Sequence, residues 1–195
     1  MIDSVPPVSA DQLISVFRHG ELVLLVLDQS DGEQTAVVAM AAEYCAADHV
    51  TFMARKARGL VSLALTEERC EQLNLPPMVD PATSGAVKLS IEASTGIETG
   101  ISAADRARTV QVAVAPDTKP SDLVQPGHIF PVATLTGGVL IRTGAAEAGV
   151  DLATLAGLTP AAVFAEVLDK SGDLANAAAL VDFADEHNLT VGRVT

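Results

Sequence analysis

Two apolar runs, "LVLLVL" (residues 22–27) and "TAVVAMAA" (residues 35–42), constrain the fold of this chain more than any other stretch. Each has the length of a strand, and neither alternates apolar with polar residues. A strand that is apolar at every position is covered on both faces, so layers must pack on two sides of a sheet. Between the runs lies a polar cluster: Asp28, Gln29, Ser30, Asp31, Gly32, Glu33 and Gln34. A turn needs one or two such residues. Three carboxylates and a glycine suit a metal or substrate loop.

Helices and strands mix along the rest of the chain. Ser9 with Gln12 three positions on caps a first helix whose apolar face is Leu13, Val16 and Phe17, and Gly20 stops it. Asp48 is expected to cap a helix through "HVTFMARKARG" with Val50, Met53 and Ala54 inward. "LVSLAL" reads as a strand, "TEERCEQLN" as a short helix, "PPMVDPATSG" as a loop broken by prolines, and "AVKLSIEA" as an alternating strand. Ser102 caps the next helix with Asp105 at its third position. "GHIFPVAT" and "GGVLIR" read as strands, and "AAEAGVDLATLAG" as a helix ended by Gly157. "AAVFAEVL" is a buried strand, "LANAAALVDFADEHN" a helix and "LTVGRV" a last strand. This order lacks a strict βαβ rhythm, so the expected class is α+β, in a single domain spanning residues 1–195.

Composition excludes several functions. Aromatic residues make up 3% with no Trp, which leaves no stacking platform for single-stranded nucleic acid. The net charge of −13 with no basic run repels a phosphate backbone. The longest apolar run is far too short to cross a bilayer. Cys45 and Cys70 form neither a CxxC pair nor a disulfide framework, so buried thiols in a cytoplasmic protein are expected; no N-terminal stretch resembles a signal peptide.

The histidines carry little signal singly. His19 and His187 fall near helix ends, His49 begins a helix, and His128 lies between a turn and a strand. None pairs with another His or Cys at metal-ligand spacing, and ordinary structural roles are expected. Two segments say more. Gly96, Gly100 and Ser102 precede a helix with Asp105 and Arg106 in its first turn. Gly137, Gly138, Arg142, Thr143 and Gly144 precede another. Free N–H groups, a positive dipole end and a nearby Arg suit a small anion, although most such sequences are simply capped helices. No GxGxxG, P-loop or GxSxG pattern occurs.

Read in order, "RGLVSLALTEERCEQLNLPPMV", "GIETGISAADRARTV", "KPSDLVQPGHIFP", "GGVLIRTGAAEAGVDLATLAG" and "PAAVFAEVL" resemble the 3,4-dihydroxy-2-butanone 4-phosphate synthase family over nearly the whole chain. The resemblance implies that family's α+β sandwich, a mixed sheet with flanking helices, and a homodimer. It implies a lyase of riboflavin biosynthesis that converts ribulose 5-phosphate, a small phosphorylated sugar, to the butanone phosphate plus formate with Mg2+. It further implies Asp31, Glu33 and Glu166 as catalytic carboxylates and Glu33 as a metal ligand. Thr99, Ser102, Asp105, Arg106, Arg142, Gly144 and Glu147 are implied around the substrate.

The chain departs from the family pattern at particular places. The family's acidic loop has the form DDEDRENEGD; here Gly32 replaces Arg, Thr35 replaces Glu and Val37 replaces Asp. Where the family has RxGHTE, Ala145 stands in place of the metal-binding His and Ala146 in place of Thr. Ser62 replaces a common Cys, Gln125 a usual Arg, and the loop containing "DPATSGAVK" is short. A methyl group cannot ligate Mg2+, and each ~1.4 kcal/mol of lost positioning is tenfold in rate. Weak or lost synthase activity, with Mg2+ held loosely or not at all, is therefore expected. The alternatives are a non-catalytic paralogue that binds a sugar phosphate or partners another protein, and a lyase or isomerase of a specialised pathway.

Overall fold

The computed structural model describes residues 7–28, 34–79 and 86–195. Asp31 and Glu33 lie outside the described residues. The elements in order are α1 (Ala10–Arg18), β1 (Val23–Asp28), β2 (Gln34–Ala41), α2 (Ala47–Phe52), β3 (Ser62–Thr66) and α3 (Glu67–Gln72). There follow β4 (Ile91–Ala93), α4 (Ala103–Val114), β5 (Leu123–Thr134), α5 (Ala145–Leu155), β6 (Ala161–Glu166), α6 (Ala177–His187) and β7 (Thr190–Val194). The seven strands form one mixed sheet in the order β4-β5-β3-β6-β2-β1-β7. β1–β7 and β3–β5 are parallel, and the other neighbours are antiparallel.

The apolar runs behave as their composition requires. Leu24, Val26, Val38 and Met40 face one core, while Val23, Leu25, Leu27, Val37 and Ala39 face the other. The first core is closed by α2, α4 and α6 through Val50, Val110, Ala113, Leu180 and Phe183. The second is closed by α1 and α5 through Leu13, Phe17, Val150 and Ala153. Gly149 lets α5 approach the sheet closely, since a Cβ there would stand 2.6 Å from the Ala162 Cβ. No described helix is long and apolar enough to cross a membrane.

Caps expected from sequence are present at three helices. Ser9 and Gln12 form a reciprocal capping box, Ser102 accepts from the Asp105 N–H, and Gly157 follows α5 in the left-handed region. Cys45 and Cys70 are buried free thiols, each pushed up to about 12 by burial.

Three local expectations fail. Asp48 does not cap α2: the helix starts one residue earlier, and the Ala46 N–H donates to His49 Nδ1 at 3.1 Å. "GGVLIR" is not a strand. Gly137 and Gly138 both take positive φ, and the Val139 N–H donates to the Asp151 carboxylate at 2.9 Å, which folds Gly138–Leu140 into a 3-10 turn. "AVKLSIEA" is a strand only over Ile91–Ala93. Upstream, Lys88 turns inward to meet Glu67 at 2.8 Å, and the pairing thins to single bridges at Val87 and Lys88.

Candidate functional site

Strands covered on both faces leave chemistry to their ends and to the loops, and the candidate residues fall into four groups there. The first closes the base of the acidic loop. Arg193 donates to both Asp28 oxygens, at 2.8 and 3.1 Å, and Gln34 adds a bond of 2.7 Å. The Arg193 bonds, then Gln34, hold the Asp28 carboxyl below the usual carboxylate range. The first carboxylate of the loop is thus committed to β7, which nothing in the sequence pattern foretold.

The second group is the turn before α4. Its N–H groups are occupied by the chain's own side chain. Asp105 accepts from the amides of Glu98, Thr99 and Gly100 at 3.3, 3.0 and 2.9 Å, and from the Thr99 hydroxyl at 3.2 Å. Burial alone would raise the Asp105 carboxyl; the Thr99 amide, Ser102 hydroxyl and the Glu98 and Gly100 amides outweigh it and hold it low. This turn is therefore an internally neutralised cradle rather than an open anion site. Arg106, next along α4, differs: its Nε is buried with no hydrogen-bond partner, and burial lowers its guanidinium pKa.

Gly100 also makes room for Glu92, because a Cβ there would lie 1.3 Å from Glu92 Oε1. Glu92 in turn meets His128 Nδ1 at 2.7 Å. Nothing in their spacing of 36 residues marks these two as a pair. The antiparallel joining of β4 and β5 creates the pair.

The third group lies between β5 and α5. Arg142 pairs with the fully buried Glu147, donating from Nε at 2.9 Å and also from Nη2. Glu147 accepts the Leu135 N–H at 3.2 Å, and Arg142 reaches the Ala133 carbonyl at 3.2 Å. Gly144 is needed because a Cβ would come within 2.4 Å of Glu147 Oε2. Ala145 opens α5 and Ala146 is buried behind it.

The fourth group is Glu166, the last residue of β6, opposite Val37 of β2. Ser62 of β3 pairs with Phe164 of β6 on one side and Phe130 of β5 on the other, and beyond it the pairing slips by one residue so that Gly59 lies against Glu166. Ala133, which anchors Arg142, lies further along the strands. The structure thus brings Thr99 and Ser102 to Asp105, and Arg142 and Gly144 to Glu147, and leaves Glu166 apart from the Glu147 group.

These donors do not fit a divalent cation. Among the described residues no group of three His, Cys, Asp or Glu side chains stands together. Ala145 and the buried Val37 carry no group able to ligate a cation.

Residues 11–195 match the family model described as 3,4-dihydroxy-2-butanone 4-phosphate synthase. The chain is 50% identical over 187 residues to the 3,4-dihydroxy-2-butanone 4-phosphate synthase of Pseudomonas syringae pv. tomato, covering 94% of this chain and 50% of that protein. It is 45% identical over 181 residues to the synthase of Pasteurella multocida, covering 91% and 84%. Solved structures agree. RibBX, a two-domain synthase from A. baumannii, superposes with TM-score 0.89 at 46% identity over 96% of this chain and 56% of that one. A synthase in complex with two magnesium ions superposes at TM-score 0.88 and 34% identity, covering 96% and 93%. The chain spans about half the length of several curated relatives it matches.

Asp28 and Asp105 should make stability acid-sensitive. Ionised and bonded, each contributes above the unfolded carboxylate value of about 4, and the contribution is lost as pH falls through the lowered folded values. The urea midpoint of the parent should drop steeply on acidification below about pH 4, and Asp105→Asn and Asp28→Asn should each flatten that drop. Unchanged pH dependence in both variants would contradict the assignment.

Proposed function

As a member of the 3,4-dihydroxy-2-butanone 4-phosphate synthase family, the chain, we propose, acts on ribulose 5-phosphate in riboflavin biosynthesis, releasing formate at a weak rate. The observation that carries this reading is the family match over residues 11–195 together with the loss of the imidazole at Ala145. The motif residues Thr99, Ser102, Asp105, Arg142 and Glu147 keep one bonded arrangement each, so the scaffold of the family is intact. Arg106 supplies a guanidinium in the first turn of α4 for an anionic sugar phosphate.

Glu166 at the end of β6 and His128 in β5 carry groups suited to moving protons during enediol formation and dehydration. Glu92 holds Nδ1 of His128 and leaves the other ring nitrogen for exchange. When bound, Mg2+ would stabilise the developing enediolate charge, and Glu33 of the acidic loop is the residue that the family resemblance implies would hold it. The second reading, a non-catalytic paralogue that binds a sugar phosphate, is favoured by the same methyl at Ala145.

A formate-release assay with ribulose 5-phosphate and Mg2+ separates the two. The native chain should turn over slowly, and a variant carrying Ala145→His, Ala146→Thr, Thr35→Glu and Val37→Asp should turn over faster. Equal rates in both, or none in either, would overturn the proposal; none in either with substrate-induced thermal stabilisation retained would establish the paralogue instead.

The same reading includes a homodimer. Leu135, Leu140, Ile141 and Leu155 expose apolar surface beside a groove of about 780 Å3 lined by α5 and the turn after β5, and Leu140 is 91% exposed. A patch of this kind suits association. Sedimentation should show a dimer that Leu140→Glu converts to a monomer; a parent that sediments as a monomer would contradict it.

A further inference from the structure

Glu166 is held in place from an unexpected direction. After α2 the backbone widens into a five-residue π turn, Met53–Ala57, closed by the Arg58 N–H donating to the Met53 carbonyl at 2.8 Å. Arg58 then takes a positive φ of 69°, uncommon for a residue with a side chain, and Gly59 follows. This corner grips the end of β6 at four points. The Leu168 N–H donates to the Ala57 carbonyl at 2.8 Å, and Arg58 bridges to Val167. The Arg58 guanidinium donates to the Leu168 carbonyl at 2.8 Å. Gly59 lies so close to the Glu166 peptide that a Cβ would stand 2.2 Å from its oxygen and 2.6 Å from its nitrogen.

On the opposite side, Val37 pairs with Glu166 and the Val167 N–H donates to the Ala36 carbonyl at 2.9 Å. The Glu166 backbone is therefore clamped between the corner and the strand that leaves the acidic loop. An ordinary helix end with a side-chain-bearing residue in place of Gly59 would push it out of that slot. A π turn costs good hydrogen-bond geometry and is found mostly where function fixes a position, and a residue held in a sparsely populated conformation persists only where its surroundings demand it.

We propose that the corner at Ala57, Arg58 and Gly59 positions the Glu166 carboxylate, so that Arg58 and Gly59 are positioning residues of the reaction proposed above, on which this inference rests. Neither residue touches the substrate. They fix the backbone from which the carboxylate projects, and a displacement of about 1 Å at a reacting group is enough to lower a rate about a hundredfold.

The test uses Gly59→Ala, Arg58→Gly and Glu166→Gln, singly and in pairs, in the native chain and in the four-substitution variant. Formate release supplies kcat and KM, and thermal melting reports folding. Arg58→Gly keeps the positive φ while removing the guanidinium bond, so it carries the test if Gly59→Ala fails to fold. Expected are a fall in kcat of about 10- to 100-fold for Gly59→Ala and a smaller one for Arg58→Gly, both with KM little changed. Neither should lower kcat further once Glu166→Gln is present, because residues acting as a unit are not additive.

A merely structural role would give multiplicative losses in the pairs. Multiplicative losses, or kcat unchanged by the corner variants while Glu166→Gln lowers it, overturn this inference and leave the proposed function standing. Absence of turnover throughout, or indifference to Glu166→Gln, removes the proposed function and the inference with it.

Discussion

The opposed burial of alternate residues in β1 and β2 is the constraint on which the rest of the molecule depends. Leu24 and Val26 enter one core while Leu25 and Leu27 enter the other, so helices must cover both faces and the sheet cannot present a functional surface of its own. Polar chemistry is thereby displaced to strand ends and loops. Asp28 and Gln34 stand where β1 and β2 meet, Glu166 stands at the end of β6, and Glu92 meets His128 where β4 joins β5. The aliphatic, nearly aromatic-free core follows from the same packing: small and branched side chains let α5 lie close over the sheet at Gly149.

Set on that frame, the polar residues are satisfied mainly by one another. Asp105 takes up the amides of the turn before α4, Glu147 takes up Arg142 and the Leu135 amide, and Arg193 takes up Asp28. Buried groups arranged in this way stiffen a scaffold. The chain keeps the fold of the synthase family, and none of these three bonded groups uses Ala145 or Val37 as a partner.

Much of the architecture is legible in the sequence because it rests on local rules. Continuous apolar runs specify doubly covered strands, and Ser9, Ser102 and Gly157 mark helix boundaries through their own short-range bonds and conformations. The failures are equally physical. "GGVLIR" is apolar enough for a strand, but two glycines at positive φ and the distant Asp151 carboxylate curl it into a turn. Asp48 loses the cap of α2 to His49, whose ring reaches back three residues to the Ala46 N–H. The strand around Ile91 is cut short by the inward ion pair of Lys88, a contact 21 residues away in sequence. At the site, motif resemblance points to Asp105, Arg142 and Glu147. It could not show that each is already engaged, nor that Glu92 supports His128, because those facts arise from strand pairing.

The proposed function has the family scaffold persisting while Mg2+ is held weakly. Titration of the native chain with Mn2+, a stand-in for Mg2+ on oxygen ligands, followed by water-proton relaxation, tests this without relying on turnover. The account predicts weaker binding in the native chain than after Ala145→His. Saturable binding of one ion per chain in the native protein, undiminished relative to the Ala145→His variant, would contradict it.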